Sequence, residues 1–303
     1  MTAPSKKIAA EVGARYGLDV REMARLSGGY DKSATSWRLE TERGSVVVRV
    51  DSGMDVETAG WLRDIQGLIE AAGVPCARFV LSEDRAAAFT IAGATATLCS
   101  FLDGTPLSCS DLRDDLRKIR AAGRALGRIH RAGVGIEAPR STVRAEYVEA
   151  DAGDLADIEL DRWHRDFMRR RGSEMTRGLV HGDFCAENLI CLAMGGVAVI
   201  DWGGARSDVQ ARELAWGTCE LGHDSSYRLR PVHARAFLRG YRDVAGRWGP
   251  GLKEALIPLM RYELRRYIEE VAHDHAGYRR SLTRGFKRLD CFDAWPLFES
   301  SGP

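Results

Sequence analysis

Three short apolar runs, Leu179-Val180, Leu189-Ile190-Cys191-Leu192 and Val197-Ala198-Val199-Ile200, enclose the polar stretch His181 to Asn188 and lead into Asp201. Runs of this length, broken by glycine and polar residues, read as buried strands. The segment therefore predicts a strand, a loop and a second strand pair. Such a path brings three oxygen-bearing side chains, Asp183, Asn188 and Asp201, to one end of a hairpin.

The flanking sequence divides around it. Ile8 to Tyr16 suggests a short helix. Leu26 to Thr41 and the β-branched run Val46–Val50 predict a hairpin with its turn at Arg43-Gly44. Val56 to Ala72 places Val56, Trp61, Leu62, Ile65, Leu68 and Ile69 at helical spacing, closed by Gly73 and Pro75. A strand pair is expected at 78–81 and 86–91, and a further strand from Ala96 runs into the Asp103-Gly104 turn. From Asp111 to Ala132 the pattern is helical, with Leu112, Leu116, Ile119, Leu126 and Ile129 on one face. The expected fold class is α+β, with two lobes sharing a cleft. An N-terminal lobe (1–103) of antiparallel sheet with one long helix precedes a larger, mainly helical lobe (104–303).

Composition excludes several classes. With 44 Lys+Arg against 43 Asp+Glu, the chain has no bulk charge to hold nucleic acid or anionic lipid. The cluster Arg169-Arg170-Arg171 lies between acidic stretches and reads as a solvated helix end. Seven scattered cysteines with no C-x-x-C pair point to reduced thiols, not a disulfide framework or zinc site. The first residues lack the apolar core of a signal peptide, and no run approaches the ~18 apolar residues that would span a bilayer. A cytoplasmic chain with no membrane or nucleic-acid partner is expected, as monomer or homodimer. His273-x-His275 has no third ligand at suitable spacing and reads as solvated.

The hairpin carries the chemistry. Phosphoryl transfer needs a carboxylate to orient a hydroxyl and accept its proton, and oxygen ligands that hold Mg²⁺ against nucleotide phosphates. Asp183, Asn188 and Asp201 are those groups in a workable order. Read blandly, Asp183 and Asn188 are turn residues and His181 a core histidine.

The pattern His181-x-Asp183-x-x-x-x-Asn188, followed by Ile200-Asp201-Trp202, closely resembles the aminoglycoside phosphotransferase and choline kinase superfamily, small-molecule relatives of protein kinases. The resemblance implies a two-lobed protein-kinase-like fold. It implies Asp183 as catalytic base, Asn188 and Asp201 as Mg²⁺ ligands and His181 as a support of the loop. Gly182 stands where protein kinases carry Arg, Trp202 where they carry Phe, and no A-P-E segment follows. These departures favour a small hydroxylated acceptor over a protein.

The same resemblance implies a nucleotide site for ATP or GTP in the N-terminal lobe. Gly28, Gly29 and Ser33 would offer close approach to phosphates, although a plain hairpin turn fits them equally. Arg49 occupies the place of the usual phosphate-binding lysine, with a surface strand arginine as the alternative. Glu57 is expected to pair with Arg49, or else to favour its helix N-terminus. Cys99 to Phe101 matches the hinge that would bind the purine edge. Candidate acceptor residues are Asp224, Tyr262, Glu263 and Tyr267, each of which reads more readily as an ordinary helix or loop residue. The family's commonest use favours an antibiotic or related natural product as acceptor. A metabolic sugar, choline or homoserine kinase is the alternative, and a nucleotide-binding pseudokinase is a rival of another class.

Overall fold

The computed structural model describes residues 3–26, 33–108, 114–139, 157–172, 174–246, 251–271, 276–289 and 297. Gly28, Gly29, Cys109, His273, His275 and Cys291 lie outside them. The chain separates into two compact units that divide between Gly104 and Thr105.

The first unit is built on a five-stranded antiparallel sheet in the order β1-β2-β3-β5-β4. Its strands are β1 (Val20–Arg25), β2 (Ala34–Thr41), β3 (Gly44–Asp51), β4 (Ala88–Ile91) and β5 (Ala94–Ser100). Helix α1 (Ala3–Tyr16) precedes β1, and α2 (Val56–Ala71) follows β3. Alternation along β3 sorts its side chains. Val48 joins a core of Ile8, Val12, Tyr16, Leu39, Phe89, Ile91, Ala96 and Leu98, with Val46 and Val50 packed against it. Val47, Arg49 and Asp51 therefore take the other face. Helix α2 starts where the Asp55 carboxylate accepts the Thr58 N–H at 2.7 Å.

Two expectations need correction here. Strand β1 was not anticipated. Residues 78–81 form no strand but a single bridge, Phe79 to Cys99, because they reach only the last residues of β5.

The second unit is mainly helical, with α3 (Leu116–Ala132), α4 (Ile158–Arg171), α5 (Gln210–Gly222), α6 (Pro231–Ala245), α7 (Leu252–Val271) and α8 (Ala276–Leu289). Two small sheets carry the predicted strands. One orders β6 (Gly104–Pro106), β8 (Leu189–Leu192) and β9 (Val197–Val199), and the other pairs β7 (Arg177–Val180) with β10 (Arg206–Val209). Helix α3 begins at its Asp115 cap and buries Ile119, Leu126 and Ile129 as expected, while Leu116 is exposed. Its backbone runs close to α6. A Cβ on Gly123 would lie 2.0 Å from the Phe237 carbonyl, and one on Gly240 2.0 Å from that of Arg120. Only glycine permits that approach. The exposed arginines Arg169 and Arg170 meet Asp166, and Arg171 meets Glu174, at the end of α4. Among the described residues, no helix is long and apolar enough to cross a membrane.

Candidate active site

Buried Leu179 and Val180 end β7 and deliver His181, which is fully buried, into the loop. The His181 ring spans two segments. Its Nδ1 accepts the Asp183 N–H at 3.3 Å, and Nε2 lies 2.9 Å from the Ile200 carbonyl. The two contacts together require the Nε2–H tautomer. Trp202 packs edge-on against the same ring at 4.7 Å, so His181 props both the Asp183 loop and the strand leading to Asp201.

Asn188 ends the short 3-10 turn Ala186–Asn188. Its Nδ2 donates to both the backbone carbonyl and Oδ2 of Asp183, each at 2.9 Å. With the amide hydrogens so used, Asn188 presents its carbonyl Oδ1 to any ligand. The β8–β9 register pairs Leu189 with Val199, and Ile200 N–H donates to Asn188 O at 3.0 Å. This ladder sets Ile200 opposite Asn188, and Asp201 follows just past the end of the strand. Asp201 is exposed and has left-handed backbone geometry at φ 60, uncommon for a residue with a side chain and concentrated at functional sites.

The donor set suits Mg²⁺, being oxygen alone: an amide carbonyl and a carboxylate. Among the described residues no three His, Cys, Asp or Glu side chains are grouped to hold a metal by themselves. An ion held by Asn188 and Asp201 would complete its shell with phosphate oxygens and water. Cys185 follows Asp183 by two residues. Burial pushes its thiol well above its ordinary range, and the charges of Asp183, Glu220 and Glu187 push the same way.

The residue that anchors this loop was not among those expected from the sequence. Glu213, buried on α5, accepts His181 N–H at 2.9 Å on Oε2 and Gly182 N–H at 2.6 Å on Oε1. His130 Nε2 reaches Oε2 at 3.0 Å, and His130 Nδ1 lies 3.0 Å from the Tyr241 hydroxyl. Burial alone would raise the Glu213 pKa, but these donors outweigh it and hold the carboxyl below its ordinary value. Gly182 explains its own identity. At φ 86 a Cβ would sit 1.9 Å from the Gly204 carbonyl, so no arginine fits there.

The other candidates are placed as follows. In the first unit Arg49 meets Asp51 two residues along its own strand, with Nη2 3.1 Å from Oδ2. Asp51 also accepts Ser33 Oγ–H at 3.3 Å and Gly53 N–H at 2.8 Å. Glu57 is exposed in the first turn of α2, where its charge favours the helix N-terminus. The anticipated Arg49–Glu57 ion pair is thus replaced by Arg49–Asp51, because strand periodicity places i and i+2 on one face. Cys99 pairs with Val47 in the sheet, and burial raises its thiol to about 12. Phe101 N–H donates to Ser45 O at 3.2 Å, and its ring lies under the Arg38 guanidinium.

In the second unit Asp224 organises a turn, accepting Ser226 and Arg228 N–H groups. Tyr267 packs on Trp216 at 4.9 Å. Tyr262 is buried and stacks on His164 at 3.6 Å. Glu263 is buried between Arg212 at 2.6 Å and Arg266 at 2.9 Å. Tyr262 and Glu263 thus pack α7 against its neighbours, and Asp224 serves its own backbone.

Glu263 yields a pH prediction. Burial raises its pKa, but the two guanidinium groups outweigh that and hold the carboxyl at about 2. A carboxyl lowered on folding stabilises above its unfolded pKa and loses that contribution as pH falls through the folded value. Urea unfolding from about pH 5 down to about pH 2 should show wild type losing roughly 3 kcal/mol more than Glu263→Gln. Equal slopes would show that the ion pairs contribute nothing net.

A model of the phosphotransferase enzyme family, APH, matches residues 22–247. The chain is 22% identical over 240 residues to homoserine kinase of Mesorhizobium japonicum, covering 75% of this chain and 72% of that protein. Its fold is similar to that of amicoumacin kinase hAmiN, solved in complex with AMP-PNP, Ca²⁺ and Ami, with a TM-score of 0.71 at 14% identity over 96% of this chain and 94% of that one. It is also similar to a microcompartment-associated aminopropanol kinase, with a TM-score of 0.65 at 16% identity over 94% of each chain. The fold is the protein-kinase-like α+β fold that the family resemblance implies. With the family model spanning most of its length, the chain belongs to the phosphotransferase enzyme family and is a small-molecule phosphotransferase.

Proposed function

We propose that the protein transfers the γ-phosphoryl group of ATP or GTP to a hydroxyl of a small, amine-bearing molecule, an antibiotic or related natural product. The observation that carries this reading is the Asn188 amide, which grips Asp183 through both O and Oδ2 while leaving a carbonyl oxygen for a metal. In this reading Asp183 aligns the acceptor hydroxyl and takes its proton. The acceptor oxygen then forms its bond to the γ-phosphorus as the bond to the leaving nucleoside diphosphate breaks. Mg²⁺, held by Asn188 and Asp201, would supply charge neutralisation on the phosphates. His181 and Glu213 keep the loop in register. Arg49 binds phosphate, with Asp51 fixing its guanidinium, and residues 99–101 bind the base.

The amine in the acceptor is favoured by local charge. Glu187 and Glu220 add negative charge around Cys185, beside Asp183, although the whole chain has no acidic excess. A second reading, a metabolic amino-alcohol kinase, is favoured by the homoserine kinase relative. Incubation with γ-labelled ATP or GTP, Mg²⁺ and a panel of aminoglycosides, other amine-bearing antibiotics, homoserine and aminopropanol decides between them. Labelled antibiotic supports the first reading, and labelled homoserine or aminopropanol the second. Nucleotide binding without transfer to any acceptor supports the pseudokinase instead.

Arg49→Ala is expected to raise the nucleotide KM or lower kcat by at least about tenfold. Unchanged steady-state constants would make Arg49 a structural partner of Asp51 only.

A further inference from the structure

We propose that Arg206 is a positioning residue that fixes the loop carrying Asp201 against the loop carrying Asp183, through a buried chain of charges anchored on α7. The inference rests on the reading of Asp201 as a metal ligand.

Arg206 opens β10 and pairs in register with Val180, the residue before His181. Its Nη1 donates to the Gly204 carbonyl at 3.3 Å, in the turn that begins at Asp201. The same guanidinium nitrogen lies 2.6 Å from where a Cβ on Gly182 would be. One side chain therefore touches the turn after the metal carboxylate and fills the space beside the residue before the base.

What holds Arg206 there is a relay of ion pairs. Its Nε and Nη2 meet Asp208 Oδ2 at 3.3 and 3.2 Å. Asp208 in turn meets Arg212 Nη1 at 3.1 Å, Arg212 Nε meets Glu263 Oε1 at 2.6 Å, and Glu263 Oε2 meets Arg266 Nε at 2.9 Å. The Arg206 and Asp208 side chains are 11% and 13% exposed, and Glu263 is 3% exposed. Charges this desolvated stay paired, since breaking one contact strands the next partner. Loop order thus follows from the fold itself, with the guanidinium occupying the room that Gly182 leaves. Groups behind a metal ligand that fix its orientation characteristically tune affinity by about 10–100-fold.

The test is Mn²⁺ binding, read by electron paramagnetic resonance in the presence of AMP-PNP, for the full chain and its variants. Arg206→Met should weaken Mn²⁺ binding by about tenfold or more, while metal-free AMP-PNP affinity stays within about twofold. Arg206→Lys keeps a donor for Gly204 but loses the fork to Asp208, and should lie between, at about fivefold. It carries the test if the methionine variant fails to fold. Asp201→Asn is the control and should abolish Mn²⁺ binding. If Asp201→Asn weakens binding while the folded Arg206 variants match wild type, the Arg206 role is overturned and the metal site stands. If Asp201→Asn itself matches wild type, the metal reading falls and the inference with it.

Discussion

Glu213→Ala should cost the fold about 3–5 kcal/mol, a large share of a marginal stability. The carboxylate receives three donors, the buried His181 N–H and His130 imidazole and the half-buried Gly182 N–H. Alanine would strand all three, each at about 1–3 kcal/mol before relaxation. Glu213→Asp keeps the charge but is one methylene shorter, so it should recover part of the loss. Because two donors belong to the loop that precedes Asp183, both variants should also lower kcat. Denaturant unfolding of the three proteins measures the effect. A loss below about 1 kcal/mol for the alanine variant would show that the loop holds its shape without the glutamate.

The hairpin was legible because it is local. Three apolar runs and three oxygen-bearing residues lie within residues 179–201, and the register pairs Leu189, just after Asn188, with Val199, two residues before Asp201. The β3 run and helix α2 were legible for the same reason, each carrying its own period. Glu213, His130 and Tyr241 were not, since they meet across 83 and 111 residues and a buried glutamate on a helix looks like any other in sequence. The relay from Arg206 to Arg266 was hidden likewise, because its charges lie in β10, α5 and α7 and meet across as many as 51 residues. Arg49 teaches something narrower. Its partner Asp51 was readable from strand alternation, but attention to the following helix favoured Glu57. The contacts of the α7 candidates were hidden because Glu263 meets Arg212 across 51 residues and Tyr267 meets Trp216 on another helix. Gly182 was noted as a departure, and its necessity became clear only from the closeness of Gly204.

The second large effect concerns Asp183. Asp183→Asn keeps size and can still meet Asn188, but an amide cannot accept the acceptor's proton. General-base loss of this kind lowers the rate by about 10²–10⁴-fold. Nucleotide binding should survive, because the asparagine can still accept the Asn188 amide and leave the proposed metal ligands in place. The direct measurement is single-turnover transfer of labelled γ-phosphate to the acceptor found in the panel, with wild type and Asp183→Asn compared at saturating nucleotide and Mg²⁺. The account predicts a fall of at least about 10²-fold in the transfer rate with nucleotide affinity within about twofold of wild type. Equal transfer rates for the two proteins would contradict it, since Asp183 would then not be the base.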